Sequence, residues 1–388
     1  MHTKIVSNVV YNGFEQGPIR PPSEAQSLLI RVTRNCPWNH CTFCPVYKGA
    51  KFSLRPVEHV IKDIDQVAEH IIRLSKTVEE NGRILYHDAM KMVSGLEEEQ
   101  KQAFQAAFQW LAAGMRSIFI QDANSLIIKP DNMLTILNHL KYRFPSVHRI
   151  TSYARSHTIA RIADEHLIAM RSAGLNRIHI GLESGCDEVL RRVKKGVDKK
   201  THIKAGQKVK RAGMELSEYV MPGLGGKELS RDHAVHTADA LNQINPDFIR
   251  IRTLAIPNHL PLYHACVTKR FQKLTDLQMV KELRLFLDNL TGITSQIKSD
   301  HILNLFGDID GRLPEDKPAM LTIIDSFLEL PEKEQMQFQI GRRLGVLNHL
   351  SDLKHSRRVA KVKDFCKANG ITPANVDKVL EEFMKRFI

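Results

Sequence analysis

Residues 27–44 read SLLIRVTRNCPWNHCTFC. The run Ser27–Thr33 is rich in Leu, Ile and Val, which favours a buried β-strand. Three cysteines, Cys36, Cys41 and Cys44, follow at once with the spacing C-x4-C-x2-C. In a β/α barrel, the loops that follow the strands form the catalytic face. The stretch therefore predicts a first strand that leads directly into a reactive cysteine loop.

Five further runs of the same kind alternate with helical stretches along the chain. Because strands that alternate strictly with helices form parallel sheets with crossover helices, the pattern predicts an α/β fold. Together with the first run, the predicted strands are Ser27–Thr33, Arg116–Gln121, His148–Ala154, Asn176–Glu183, Met214–Met221 and Phe248–Leu254.

The pattern is different on either side of the later strands. Between Val57 and Gly114 it is long and helical, with a polar break near Glu80–Gly82. Beyond about Leu260 we expect the strands to stop and amphipathic helices to continue. The sequence thus predicts an N-terminal extension over 1–24, a barrel domain over 25–265 and a helical, basic C-terminal region over 266–388.

The composition is that of an ordinary globular protein, with 388 residues of which 43% are hydrophobic and 26% charged. Met1–Phe14 holds no long apolar run behind a positive segment, and the sequence has no stretch of about 18 uninterrupted apolar residues. We therefore expect a cytoplasmic protein with no membrane partner. Lys and Arg outnumber Asp and Glu by 56 to 43, so the surface should attract anionic molecules. This charge permits nucleic-acid binding but does not by itself favour it.

The cysteine spacing indicates metal chemistry. In a reducing compartment, a tight cysteine cluster is more often a metal or cluster site than a disulfide. Three thiolates can hold three irons of a [4Fe–4S] cube and leave the fourth iron open to a ligand. A structural zinc site would need a fourth ligand, for which His40 is a candidate, and three structural cysteines are a plainer alternative. The other cysteines are scattered singly and are predicted to be small buried residues: Cys186, Cys266 and Cys366.

Two stretches resemble a known family. The end of the cysteine loop, Cys41–Cys44 (CTFC), resembles the signature of the radical S-adenosylmethionine (radical SAM) superfamily, whose usual spacing is C-x3-C-x2-C. The stretch Ile178–Gly185 (IHIGLESG), with Asp187–Leu190 and Lys194–Gly196 after it, is similar to the fourth-strand segment of the coproporphyrinogen-oxidase-like and methylthiotransferase-like branches. The likeness extends over about Ser27–Leu262.

This resemblance implies a fold and a chemistry. The fold would be a partial (β/α)6 barrel of the TIM type with a C-terminal helical extension. Cys36, Cys41 and Cys44 would bind a [4Fe–4S] cluster, and the enzyme would cleave S-adenosylmethionine reductively. The resulting 5′-deoxyadenosyl radical would abstract hydrogen from a substrate held in the barrel. The resemblance also implies a low-potential electron donor of the flavodoxin or ferredoxin type as a partner.

The resemblance further implies roles for single residues in cofactor binding. Glu183 stands at the position that contacts the ribose, and Lys195 at that of a basic residue that meets the methionine carboxylate. Gln121 and Asp122 occupy the place where many relatives carry a glycine-rich stretch that receives the methionine amino group. The aromatic Phe43, just before the last cysteine of the loop, is expected beside the cofactor.

Strand alternation adds polar residues to this predicted site. Side chains along a barrel strand point alternately to the helices and to the interior, and a purely structural interior is filled by branched apolar residues. The polar positions predicted to face inward or to share one face are His179, Glu183, Arg250 and Arg252, with Tyr153 and Arg155. We therefore assign Tyr153, Arg155 and Arg252 to cofactor binding and expect an anionic substrate. No catalytic residue is assigned.

Other interpretations stay open at this point. Arg250 or Arg252 could form an internal ion pair with Glu183 or Glu218, and His179 could be a core histidine. The protein could instead modify or bind RNA through the basic residues 342–388. It could also be a non-catalytic iron–sulfur or zinc scaffold protein.

Overall fold

The computed structural model describes residues 10–77 and 86–384. Its strands are β1 Leu28–Arg31, β2 Thr33–Arg34, β3 Ser53–Leu54, β4 Ser117–Gln121, β5 Arg149–Ala154, β6 Leu175–Glu183, β7 Glu215–Val220, β8 Phe248–Ile251, β9 Gln296–Lys298 and β10 Gly311–Arg312. Each of the six predicted strands is therefore present, which confirms an α/β fold.

The α-helices account for most of the remaining described chain. They are α1 Val57–Ser75, α2 Tyr86–Ser94, α3 Glu98–Ala112, α4 Pro130–Arg143, α5 Ser156–Ile159, α6 Asp164–Ser172, α7 Asp187–Arg192, α8 Lys199–Arg211, α9 Gly226–Ile244, α10 Pro261–Val267, α11 Asp276–Asp288, α12 Lys317–Leu328, α13 Glu332–Arg343, α14 Ser356–Ala368 and α15 Val376–Met384. No helix in the described ranges is long and apolar enough to cross a membrane.

Two compact units make up the chain. The first contains the residues up to Pro37, Gly49–His179 and Arg211–Met214. The second contains Trp38–Lys48, Ile180–Lys210 and the residues from Glu215 onward. The predicted domain boundaries after residues 24 and 265 stay predictions.

The first unit is built on strands β1, β4, β5 and the beginning of β6, in that order. β1 and β5 each pair with β4 in parallel, with Leu28 opposite Ile118 and Ile118 opposite Ile150. Helix α1 packs against α3 and α4, because its apolar residues recur every three to four positions and are buried: Val60, Ile64, Val67, Ile71 and Leu74. The predicted polar break near Glu80–Gly82 lies outside the described residues.

In the second unit, the order of strands is the end of β6, then β7, β8, β9 and β10. β7, β8 and β9 pair in parallel, while β10 pairs with β9 antiparallel. The expectation that strands stop beyond Leu260 is therefore wrong. β9 has three residues and β10 two, which is too short for an alternating pattern to show in the sequence.

Candidate active site

The cysteine loop begins after β2 and is held by backbone contacts in the second unit. The Thr42 amide donates to the Val193 carbonyl at 3.0 Å, and the Leu262 amide donates to the Thr42 carbonyl at 3.1 Å. The Trp38 indole N–H donates to the Lys194 carbonyl at 2.7 Å. These bonds join residues more than a hundred positions apart in sequence, so the path of the loop is set by tertiary structure.

Phe43 lies at one end of an apolar cluster that supports this loop. The buried members of the cluster are Phe43, Cys186, Val189, Val193, Met221, Leu224, Leu254 and Leu262. Cys41 and Cys44 are partly buried and pack against it. The three cysteines of the motif, Cys36 included, form no disulfide and are partly exposed.

Lys195 and Glu183 form an ion pair in the second unit. Lys195 Nζ lies 3.1 Å from Glu183 Oε1, and each side chain is 13% exposed. Lys195 Nζ also lies 5.9 Å from the centre of the Phe43 ring. A Cβ added at Gly181 would come within 2.3 Å of Glu183 Oε1 and 3.1 Å of Lys195 Nζ. The glycine therefore leaves the space in which the pair sits.

Glu218, on β7, is fully buried, and neither of its carboxylate oxygens has a hydrogen-bond partner in the described part of the chain. Burial raises the pKa of this carboxyl well above its ordinary value. The positive charge of Lys195 lowers the pKa, whereas the negative charge of Glu183 raises it further. An unpaired carboxylate in such a place is costly, and burial therefore favours the protonated form of Glu218.

Arg250 in β8 and Arg252 just after it have different surroundings. Arg250 is buried, pairs with Asp300 and donates from Nε to Ser217 Oγ at 3.2 Å. The internal partner of Arg250 is thus Asp300, not Glu183 or Glu218, because β9 brings Asp300 beside β8. Arg252 lies just beyond β8 and is exposed. Burial first and the Arg252 charge second lower the pKa of His301 to about 4, so this imidazole is neutral at pH 7.

Gln121 and Asp122, predicted to receive an amino group, bind protein groups in the first unit. The Gln121 amide nitrogen donates to the Ile19 carbonyl at 2.6 Å, and Gln121 Oε1 accepts from the Gly17 amide at 2.9 Å. Asp122 Oδ2 accepts from Arg31 at 2.8 Å and from the Asn35 amide at 3.1 Å. A cofactor that used the Gln121 amide or Asp122 Oδ2 would replace these partners.

Tyr153 and His179 belong to one aromatic group in the first unit. The Tyr153 ring packs edge-on against Phe119 at 5.0 Å and against His179 at 5.8 Å, measured between ring centres. His179 is fully buried, and its Nε2 lies 3.4 Å from Glu24 Oε1, which is the position of a core histidine. The Arg155 amide donates to Asn124 Oδ1 at 2.9 Å, so its backbone is tied to the loop after β4.

Sequence reasoning missed a cluster of charges around Glu15 in the first unit. Its carboxylate contacts three arginines, Arg31, Arg34 and Arg55. Arg31 was visible only as a charged residue in an otherwise apolar strand, and the pattern does not reveal a partner that precedes the strand.

The thiol ligands fit an iron–sulfur cluster chemically. Three cysteine thiols that form no disulfide could supply soft sulfur donors, one for each of three irons, and would leave the fourth iron open. Within residues 10–77 and 86–384, no three His, Cys, Asp or Glu side chains converge to hold one metal ion. A cluster does not require such convergence, because each thiolate binds a different iron.

Comparison with known proteins identifies the domain. Residues 92–239 match the sequence profile of the Radical SAM superfamily. The match includes Glu183 and Lys195 and lies after the cysteine loop.

Curated relatives are similar over part of the chain. A tRNA uridine(34) acetyltransferase from Methanocaldococcus infernus is 26% identical over 102 residues, which are 26% of this chain and 19% of the relative. A CDK5RAP1-like protein from Caenorhabditis elegans is 23% identical over 193 residues, 48% of this chain and 32% of the relative. The chain thus spans a third or less of the length of these relatives.

Solved structures of low identity also match. One is the archaeal Methanocaldococcus infernus Elp3, with TM-score 0.41, 16% identity and coverage of 52% of this chain and 53% of that one. Another is coproporphyrinogen III oxidase from Escherichia coli, described as a radical SAM enzyme, with TM-score 0.43, 16% identity and coverage of 68% and 52%. The sequence match over residues 92–239 shows a radical SAM domain in this part of the chain; proteins of that superfamily are enzymes that use a [4Fe–4S] cluster and S-adenosylmethionine.

Proposed function

We propose that Cys36, Cys41 and Cys44 bind the [4Fe–4S] cluster and that Glu183 and Lys195 bind S-adenosylmethionine. The observation that carries this proposal is that Cys41, Cys44, Phe43, Glu183 and Lys195 belong to one compact unit. There the Lys195 ammonium lies above the ring of Phe43, the residue just before Cys44.

The Lys195–Glu183 pair has the chemistry to bind a zwitterionic cofactor. Lys195 can donate to a carboxylate, and Glu183 can accept hydrogen bonds from ribose hydroxyls. In the structure each group satisfies the other at 3.1 Å, so binding would exchange one ion pair for two contacts with the ligand. Both side chains are mostly buried, which strengthens such contacts relative to water.

When bound, the cluster and S-adenosylmethionine supply the radical chemistry. The protein orients the ligand and excludes water. The apolar cluster of Phe43, Val193 and Leu262 shields one side of the cysteine loop from solvent. Gln121, Asp122, Tyr153 and Arg155 are proposed as further cofactor contacts.

We further propose that the substrate is anionic. Arg252 is exposed just beyond β8, at the carboxyl end of a strand where barrel enzymes place substrate contacts. The protein carries a net charge of +13, which favours encounter with anionic molecules and with an acidic electron donor of the flavodoxin or ferredoxin type.

The test is anaerobic reconstitution with iron and sulfide, followed by dithionite reduction with S-adenosylmethionine and an assay for 5′-deoxyadenosine. We expect Cys36→Ala, Cys41→Ala and Cys44→Ala each to abolish cluster absorbance and cleavage. Cys266→Ala and Cys366→Ala serve as matched controls, because these cysteines lie far from the motif in sequence. A wild-type protein that holds zinc, or a cluster that never cleaves the cofactor, would contradict the proposal.

A second candidate is an RNA substrate, favoured by the similarity to a tRNA uridine(34) acetyltransferase over 102 residues. Helix α14 carries several basic residues: Arg357, Arg358, Lys361, Lys363 and Lys367. Binding of a tRNA through them should fall steeply as salt rises, and Lys361→Glu combined with Lys363→Glu should weaken it. Equal affinity of the double variant and the wild type would remove this candidate surface.

A further inference from the structure

Both carboxylate oxygens of Glu15 are held by arginines. Arg34 donates from Nη2 to Oε1 at 2.6 Å and from Nε to Oε2 at 3.0 Å. Arg55 Nε lies 2.6 Å from Oε1, and Arg31 Nη1 lies 3.3 Å from Oε2. Burial alone would raise the pKa of Glu15, but the Arg34 hydrogen bond and the charges of Arg55, Arg34 and Arg31 outweigh it and lower the pKa.

One of the three arginines has Glu15 as its single carboxylate partner among the described residues. Arg31 also pairs with Asp122 at 2.8 Å, and Arg55 also pairs with Asp63 at 2.5 Å. The Arg34 guanidinium has Glu15 as its one carboxylate partner among the described residues. Removal of the Glu15 carboxylate would leave three arginines with two carboxylates, an excess of one positive charge.

The arginines lie where α/β proteins bind ligands. Arg31 is the last residue of β1, and the Arg31 guanidinium pairs with Asp122, which directly follows β4. In open and closed parallel sheets, ligands bind outside the carboxyl ends of the strands. A planar guanidinium with two parallel N–H groups matches a carboxylate in a bidentate manner, as Arg34 does with Glu15.

The carboxylate in this site comes from a segment that belongs to no helix or strand. Residues 10–21 precede the first turn of 3-10 helix at Pro22–Glu24. Besides Glu15, the segment is held by the Tyr11 hydroxyl, which donates to Asp63 at 2.7 Å, and by the backbone of Gly17 and Ile19 at Gln121. It therefore covers Gln121 and places a side-chain carboxylate among the three arginines.

We propose that Arg31, Arg34 and Arg55 form a binding site for a carboxylate group of a small-molecule ligand, and that Glu15 occupies it until such a ligand displaces it. That the ligand is the substrate of the enzyme rests on the proposed function. The existence of the binding site does not depend on it. The chemistry that recognises the ligand is the one seen for Glu15: a planar anion with two oxygens, each in contact with two arginines.

The experiment uses the full-length Glu15→Ala protein and measures its thermal unfolding midpoint as sodium acetate is added, with sodium chloride at equal ionic strength as the reference. We expect the variant to unfold below the wild type without acetate. Acetate should raise its midpoint saturably and recover at least half of the loss, while the wild type stays unchanged. Phosphate in a parallel series tests whether the site prefers a carboxylate.

Two variants keep the test decisive. Glu15→Gln preserves the shape of the side chain and should fold even if Glu15→Ala does not, with the same acetate response in smaller measure. Glu15→Ala combined with Arg34→Ala should show no response. Glu58→Ala, an exposed glutamate of the same unit, is the matched control.

If acetate affects Glu15→Ala and Glu15→Gln no more than wild type, the proposal is overturned and Glu15 is a structural tether. No outcome depends on the iron–sulfur cluster, so failure here is distinguishable from failure of the proposed function.

Discussion

The ammonium group of Lys195 lies 3.1 Å from the carboxylate of Glu183, and both side chains are mostly buried. If these groups bind the cofactor, Lys195→Met should weaken the binding of S-adenosylmethionine by roughly 10- to 100-fold, since a hydrogen bond to a charged group contributes about 1.5–3 kcal/mol. Isothermal titration of the reconstituted protein measures this affinity.

The matched control for this prediction is Lys200→Met, an exposed lysine near the start of α8. It should bind S-adenosylmethionine like the wild type. Unchanged affinity in Lys195→Met, in a variant that retains its cluster and its unfolding midpoint, would remove Lys195 from the proposed site.

Glu218 should make the protein less stable at high pH. Burial raises the folded-state pKa of its carboxyl above the unfolded value. The resulting stability is fully present below the unfolded pKa and is lost as the pH rises through the folded pKa. Glu218→Gln cannot ionise, so the difference between its unfolding midpoint and that of the wild type should shift in favour of the variant as the pH rises above the ordinary pKa of a glutamate. Glu215→Gln, an exposed glutamate of the same strand, should run parallel to the wild type over this range. A Glu218→Gln curve that is also parallel would show that Glu218 does not titrate as inferred.

Gly196 should tolerate a side chain much less well than Gly213. Both have φ in the left-handed region, +72° and +75°. A Cβ at Gly196 would lie 2.3 Å from the Trp38 ring, whereas a Cβ at Gly213 meets nothing within 4 Å. Gly213→Ala should thus cost only the backbone strain, about 1–2 kcal/mol, and Gly196→Ala more. Urea unfolding gives both values.

Gly196→Ala should also shift the tryptophan fluorescence, because Trp38 must move. Unaltered emission, together with equal destabilisation of the two variants, would contradict the predicted clash.

Glu282 of α11 should stabilise the loop that follows β7. Its Oε1 accepts from the Gly223 amide at 2.6 Å and its Oε2 from the Ser230 hydroxyl at 2.5 Å. Glu282→Ala leaves the buried Gly223 amide unpaired and removes the acceptor of the half-buried Ser230 hydroxyl, which should lower the free energy of unfolding by roughly 1–3 kcal/mol. The Gly223 amide should also exchange faster with solvent. Asp288→Ala, an exposed residue on the same helix, should change neither quantity. Unchanged exchange at Gly223 in the Glu282 variant would show that the loop does not depend on this contact.

The sequence by itself determined the six principal strands and the α/β class, because a buried strand shows as a short aliphatic run and a helix as a longer amphipathic pattern. The end of α6 also depends on local sequence, because Gly174 follows it with φ of +109°, a value that favours glycine. The stretch Ile178–Gly185 resembles the radical SAM superfamily, and the profile match over residues 92–239 confirms that resemblance, whereas the cysteine spacing lies outside the match and stays a prediction. The assignment of single residues to the cluster and the cofactor remains a prediction.

Tertiary structure alone decided which charged residues meet. Arg250 pairs with Asp300, fifty positions later, because the three-residue strand β9 joins β8. Glu15 meets Arg55 because a segment without regular structure lies beside β1. Glu218 is buried near the charges of Lys195 and Glu183, which its sequence neighbours do not reveal. The spacing of apolar residues indicates the face of a helix or strand on which a side chain lies. The formation of an ion pair depends instead on contacts between distant segments, and those contacts leave no local pattern in the sequence.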